Sequence, residues 1–264
     1  MDYSSGKRIV IEQLAADYGA DVSRLSGGDV IRDAKYGARS KTYLSGAPFL
    51  DMTFIDGMTV VAVDGRIADY AKRYVDAAGE QFRAFDAPNI MLLNAELAKY
   101  GQTVGHMLQG FLPRECARPI VPDGMRAFYG EEINELFAFG GFHNALCYST
   151  TARRRDEIAV ACFDGSEPVA MAGCSNDGER MWQIGVDVKP THRNRGLATA
   201  LVRTLKDIIG ERGICPYYCC AWSNVASQRT AASAGFVPAW AELSAVPLDD
   251  KFVVQTKSKI LSEI

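Results

Sequence analysis

The second half of the chain carries the clearer hydrophobic pattern. Two apolar runs, Ile158 to Phe163 and Val169 to Cys174, are separated by Asp164-Gly165-Ser166-Glu167, and Asn176-Asp177-Gly178 follows the second. Short apolar runs bounded by such residues predict strands joined by tight turns. A third run alternates, with Trp182, Ile184, Val186 and Val188 on one face and Gln183, Gly185 and Asp187 on the other. The period then changes. Leu197, Leu201, Leu205, Ile208 and Ile209 fall on one helical face, and Gly213 is placed to end the helix. Ile214 to Trp222 predicts another strand, and Val225 to Ala234 another helix closed by Gly235. A helix over Glu131 to Phe139 precedes all of these. Three antiparallel strands, a helix, a strand and a helix make an α/β domain of the α+β kind, with a mixed, mostly antiparallel sheet flanked by helices.

The first ~115 residues are patterned more weakly. Ile9, Ile11, Leu14 and Ala15 suggest an opening helix. Phe54-Ile55 and Thr59 to Val63 read as two strands joined at Asp56-Gly57. Asp64 sits where a helix N-cap would, ahead of Ile67, Tyr70, Ala71, Tyr74 and Val75 at three-to-four spacing, with Ala78-Gly79 as the stop. Another helix covers Asn94 to Tyr100 before Gly101. Pro113, Pro119, Pro122 and Gly124 mark the expected boundary, giving an N-terminal region over 1–115 and a second domain over 116–264.

Composition narrows the function classes. The 264 residues are 48% apolar and 23% charged, which excludes disorder and suits a globular core. A net charge of -3, from 29 basic and 32 acidic residues, argues against a nucleic-acid partner. No apolar run approaches the ~20 residues of a membrane span, and Met1 to Gly6 has no signal-like apolar core behind it, so neither a membrane partner nor secretion is expected. Seven cysteines lie mostly in apolar runs, with no Cys-x2-Cys pair and no ligand spacing to His106, His143 or His192. They read as small core residues in a reduced, cytoplasmic protein without a bound metal.

The chemistry concentrates between the alternating strand and its helix, in Val188-Lys-Pro-Thr-His-Arg193-Asn-Arg-Gly196-Leu-Ala198. A helix start exposes backbone N–H groups without partners. Arg193 and Arg195 add positive charge, while Gly196 and Ala198 leave the backbone approachable. Together these make an anion cradle suited to a pyrophosphate.

The string Val188, Pro190, Arg193, Gly196 and Ala198, followed by Asn224, Ser227 and Gly235-Phe236, resembles the GNAT acyltransferase superfamily over roughly Arg118 to Leu243. The whole chain also looks like a bacterial GNAT group with a poorly defined N-terminal half. The resemblance implies a GNAT-like fold and an N-acetyltransferase that moves acetyl from acetyl-CoA to an amine of a small molecule or peptide in a ternary complex. It implies that the pyrophosphate lies on Arg193, Asn194, Arg195, Gly196, Leu197, Ala198 and Thr199. Pantetheine would run beside Val186, Asp187 and Val188, whose backbone would steady the oxyanion. Asn224 and Ser227 would touch the donor near its reactive end. The strand from Ile214 must part from its neighbour to admit it, and Pro216, which lacks a ladder donor, fits such a parting.

One departure stands out. Many members place a tyrosine four residues before the Gly-Phe pair to protonate the departing thiolate, and here that residue is Ala231. Ser227, Tyr217 and Tyr218 are the neighbouring candidates for the acid; the alternative is unassisted departure of the thiolate. Asp187, Glu179 and Glu242 are candidates for the base by location, each set against the reading of a solvated surface charge. His143 and His192 read as structural. The catalytic set expected is Asp187, Ser227 and Tyr218. A non-catalytic acyl-CoA sensor is the competing class. For residues 1–115 an acceptor-side role, as a degenerate copy of the same fold without its phosphate loop, stands beside a packing or homodimer-forming one.

Overall fold

The computed structural model describes residues 1–25, 29–114 and 124–248. The expected boundary at 115, with Cys116, Pro119 and Pro122, lies outside them. In chain order the elements are α1 (Tyr3–Tyr18), α2 (Val22–Leu25), β1 (Val30–Arg32), β2 (Leu50–Ile55), β3 (Met58–Val63), α3 (Ala68–Ala77), α4 (Ala87–Ala98), β4 (Gln102–Pro113) and β5 (Met125–Tyr129). A 3-10 segment, Gly130–Ala138, stands where a helix was expected. There follow β6 (Asp156–Asp164), β7 (Glu167–Ser175), β8 (Met181–Val188), α5 (Leu197–Glu211), β9 (Cys215–Ala221), α6 (Val225–Ser233) and β10 (Phe236–Pro247).

The chain forms two units, and the cut is not the linear one expected. Residues 1–17 and 36–45 fold with 109–239, and the other unit takes 18–35, 46–108 and 240–264. The reason for the first departure is α1. It buries Ile9, Val10, Leu14 and Ala15, and a Cβ on its Gly6 would lie 3.2 Å from Leu112 and 3.4 Å from Cys215. Asp17, at its end, accepts from the Lys41 backbone at 2.8 Å and from Lys41 Nζ at 2.5 Å, tying in the second detached segment.

In the unit that holds 109–239, the strands β5, β6, β7 and β8 form an antiparallel meander. β9 then joins β8 in parallel, after the crossover through α5. α5 lays Leu201, Val202, Leu205 and Ile209 against Ile158, Val160, Ala170, Ala172 and Ile184. The opposite face of β6 and β7 packs Ala159, Ala161 and Met171 against Ile133, Leu136, Phe142 and Leu146. β7 is thus buried on both faces, which is why it reads as a continuous apolar run rather than an alternation.

The other unit holds the β2/β3 hairpin at Asp56-Gly57, whose φ values of 52° and 80° are those of the tight turn the dipeptide favours. β1 runs parallel to β3, and Trp240 to Ser244 of β10 pair antiparallel with β2. Asp64 caps the turn after β3 as expected, accepting from Arg66 N at 2.9 Å. The side chains of Arg66, with its backbone N–H, hold the Asp64 carboxyl below its usual range. Asp33 accepts from Gly65 N at 2.8 Å. β4, β5 and β10 were not foreseen; β4, for example, has Gly105, Gln109 and Gly110 breaking its pattern.

One close approach shapes the sheet face opposite α5. Gly173 and Gly185 are direct cross-strand partners on β7 and β8. A Cβ on Gly185 would lie 1.7 Å from the Asn144 carbonyl oxygen, and one on Gly173 2.0 Å from that of Ala145. The pair is a flat floor on which the Asn144-Ala145 backbone rests. Gly185→Ala should therefore cost about 1–3 kcal/mol in a urea denaturation series, while Gly140→Ala, with nothing within 4 Å of its Cβ, should leave the midpoint nearly unchanged.

Candidate active site

β8 and β9 pair only as far as Ile184 with Tyr218. Beyond that point β8 keeps its bonds to β7 as far as Val188, but Gly185 to Val188 and Cys219 to Ala221 have no register with each other. The strands part, and one edge of β8 is left open. Pro216 is not the cause. It sits inside the paired stretch opposite Trp182, so the expectation that it marks the parting is corrected: the ladder ends two residues later. An extended chain laid against the open edge can take hydrogen bonds from the β8 backbone, as an added strand does.

The open edge leads into a cleft of about 490 Å³. One wall is Val186, Asp187 and Val188, and the floor at one end is His192, Arg193, Asn194 and Gly196 to Thr199. Gly196, the residue before α5, has φ 78°, and Asn194 has φ 60°. Both left-handed residues turn the chain so that the helix begins with its N–H groups facing out. The first bond of the helix is Ala200 N to Gly196 O at 3.0 Å, so the N–H groups of the first turn have no intrahelical acceptor. A Cβ on Gly196 would enter open space, which is the room an anion needs. The two arginines brace the loop. Arg193 Nε donates to Val188 O at 3.2 Å, and Arg195 Nη2 to Thr191 O at 3.3 Å. These donors, the dipole of a 15-residue helix and the cationic loop fit the phosphates of a nucleotide-type acyl carrier.

The opposite wall is Ala226, Ser227, Arg229, Thr230 and Ser233, a stripe along α6 at helical spacing; of these the sequence reading named Ser227 and missed the other four. That spacing of small and polar residues was the available signal. Arg229 is exposed and makes no ion pair or hydrogen bond among the described residues. Asn224 does not line the cleft; its Oδ1 caps α6 by accepting from Ser227 N at 3.1 Å. Arg195 likewise stands outside the lining.

Tyr218 reaches the cleft from β9. Its ring is buried, 6.4 Å from Phe111 and 6.2 Å from Phe236 between centroids. Burial raises its phenol above the usual range, opposed by a side-chain hydrogen bond with Ser227. Ala231 is fully buried in the same core. The one aromatic hydroxyl lining the cleft thus comes from β9, not from α6.

Asp187 has a different job from the base expected of it. Its carboxylate accepts from Asn144 N at 2.7 Å, Asn144 Nδ2 at 2.6 Å and Ala145 N at 3.0 Å. It clamps the segment that rests on Gly185. Asp156 holds the far end of that segment, accepting from Cys147 N at 2.7 Å and Ser149 N at 3.2 Å, and burial raises its pKa. The other base candidates lie elsewhere. Glu179 faces α1 in a separate hollow, and Glu242 accepts from Trp240 Nε1 at 2.9 Å. His143 is exposed against the Tyr148 ring. His192 Nδ1 bonds Thr191 Oγ1 at 2.9 Å and supports the phosphate loop. Four of the described cysteines, Cys162, Cys174, Cys215 and Cys220, are buried. No group of His, Cys, Asp and Glu among the described residues is arranged to hold a metal ion, and no described helix is long and apolar enough to cross a membrane.

A parallel strand pair parts beside an open helix start, and one cleft joins the two. Residues 123–236 match the model of the acetyltransferase (GNAT) family, and the C-terminal half of the chain carries a domain of that family. Solved structures similar to this chain include a GNAT-family protein from Novosphingobium aromaticivorans, 21% identical, with a TM-score of 0.41 over 55% of this chain and 66% of that one. The chain thus spans just under two thirds of that relative. A GCN5-related N-acetyltransferase from Sphaerobacter thermophilus is 12% identical over 90% of this chain and 91% of its own, with a TM-score of 0.47. The Salmonella typhimurium yncA protein, solved with its cofactor acetyl-CoA, is 15% identical over 48% of this chain and 96% of its own, with a TM-score of 0.32. No curated protein matches the sequence.

Removing the clamp gives a local test. Asp187→Ala should speed amide hydrogen exchange at Asn144 and Ala145 by about tenfold or more, the equivalent of ~1.4 kcal/mol, and leave the β6/β7 amides unchanged.

Proposed function

We propose that the protein is an N-acetyltransferase that takes acetyl from acetyl-CoA and passes it directly to an amine held on the opposite face of the sheet. The observation that carries this reading is the continuity of the open β8 edge with the unpartnered N–H groups at the start of α5, in one cleft. Acetyl-CoA supplies the activated thioester. The first-turn amides and Arg193 to Thr199 hold its phosphates, and Arg229 adds a cation on the α6 side. Backbone groups of Val186 to Val188 take the pantetheine arm and orient the carbonyl.

Tyr218, assisted by Ser227, gives a proton to the departing sulfur and regains it from solvent; the acceptor nitrogen releases its proton to water. The phenol is suited to this because burial keeps it protonated well past neutrality. Asp187 acts by positioning the Asn144-Ala145 wall rather than by taking a proton. The competing reading is a non-catalytic acyl-CoA sensor, which the buried Ala231 favours by placing no hydroxyl on α6 at that point. We also read the unit around β1 to β3 as a copy that does not take the donor. Its turn donors, Gly65 N and Arg66 N, are already capped by Asp33 and Asp64.

Acetyl-CoA at about 100 times its dissociation constant should stabilise the protein by ~2.7 kcal/mol, or about 5–10 °C in Tm. Calorimetry should give one donor per chain. Gly196→Val should remove both effects and cost the unliganded protein about 1–2 kcal/mol, because φ 78° is unfavourable to a β-branched residue; an unchanged affinity would overturn the placement of the phosphates. Tyr218→Phe should lower kcat by about 100-fold with little change in KM for acetyl-CoA. In the parent enzyme the rate should show no loss from phenol ionisation until the pH passes the raised value, above ~10. Donor binding without turnover on any amine would favour the sensor.

A further inference from the structure

On the sheet face opposite α5, beside the parting of β8 and β9, lies a polar cluster that the donor site does not use. Asp177 is fully buried and fully satisfied. It accepts from Tyr217 OH at 2.6 Å, Ser175 Oγ at 2.7 Å and Arg154 Nε at 2.9 Å. Arg154 is not. Its Nε is spent on Asp177, its Nη2 reaches Gln183 Oε1 only at 3.4 Å, and its Nη1 has no partner among the described residues. Its side chain is 37% exposed. The guanidinium lies 5.1 Å from the centre of the Tyr43 ring, which sets its plane. Tyr43 in turn is held in place through Thr42, whose N–H donates to Asp177 O at 2.7 Å.

Position gives this cluster a purpose. Gln183 is the cross-strand partner of Tyr217, one register step before the last pair of the ladder. Side chains alternate along a strand, so Gln183, Gly185 and Asp187 share the face opposite Val186 and Val188. Two residues of strand, ~7 Å, separate Gln183 from Gly185, whose own face is covered by Asn144-Ala145, so the parting is reached along the β9-side edge of β8. An acceptor entering from this face would set its amine at the parting and its far end against Arg154. A guanidinium with one edge locked and the other open is a rigid fork for a planar anion. The buried Asp177 beside it makes a dianion a poor occupant, whereas a monoanion matches the single open edge.

We propose that Arg154 binds a carboxylate on the acceptor, so that the substrate is an amine carrying a carboxylate a few bonds from its nitrogen. This rests on the transferase reading and names the acceptor class of that site. Arg154 is the residue that selects the acid over the uncharged amine, and Asp177 and Tyr43 hold it in place.

The test uses the full chain saturated with CoA, with the CoA titration recorded separately. Glycine, β-alanine, 4-aminobutyrate, 6-aminohexanoate and the twenty α-amino acids are titrated in, each beside its amide or its decarboxylated amine. At least one acid should bind ten times or more tighter than its uncharged counterpart. Arg154→Lys, which keeps a cation for Asp177 but loses the fork, should erase that preference without changing CoA affinity, at the cost of a few degrees in Tm from the lost hydrogen bond to the buried Asp177. Equal binding of acid and amide, no binding of any acid, or a preference that survives Arg154→Lys would each overturn the proposal. A chain that binds acids through Arg154 but not CoA would overturn the transferase reading alone.

Discussion

The structure depends on a ladder that stops early. β8 and β9 are bonded in parallel through Ile184 and Tyr218, and each then continues without the other. Backbone donors and acceptors on a strand edge must find partners or water, so the parting creates a demand that an extended ligand can meet. The parted strands are held from behind. β8 keeps its full pairing with β7, and α5 packs Leu201, Leu205 and Ile209 over the junction. Tyr218, at the last pair, is pinned between Phe111 and Phe236. The aperture is therefore rigid on both sides, and the one hydroxyl that looks into it from β9 is placed by the core.

The two faces of this aperture are built by different means. On the α5 side the walls are a strand edge, a helix start and the polar stripe of α6, all suited to a long anionic ligand. On the other side two paired glycines let a loop lie directly on the sheet, and two carboxylates, Asp187 and Asp156, hold that loop by its backbone amides. A carboxylate accepting backbone N–H bonds is among the stronger fasteners available to a surface segment. Asp177, Arg154, Tyr217 and Gln183 form the remaining side, a polar network whose buried member is fully paired.

The unit built on β1 to β3 contrasts an open helix-start turn with a capped one. Both units contain a strand that turns into a helix. After β8 the turn carries arginines and left-handed Asn194 and Gly196, and its amides stay open. After β3 the Gly65 and Arg66 amides donate to the carboxylates of Asp33 and Asp64. A fixed internal anion competes at no cost in translational entropy with any free one.

Periodicity and turn chemistry determined the local elements of the C-terminal half, the Asp56-Gly57 hairpin, the Asp64 cap and the helix-start cradle at Arg193 to Thr199, because each depends on neighbours a few residues apart. Tyr218 and Ser227, expected from the sequence as catalytic residues, both line the cleft. Only the tertiary structure decided the rest. It put α1 and residues 36–45 with the C-terminal unit, since nothing in Ile9 or Leu14 names the surface they cover. Asp187 was given a clamp's contacts because Asn144 arrives from 43 residues away. Arg154 was joined to Asp177 across the β6/β7 hairpin, and Tyr217 reaches the same carboxylate from β9. Local pattern records which face of an element is buried, whereas the partner on that face is set by contacts between distant segments, and a side chain's chemistry belongs to the partner.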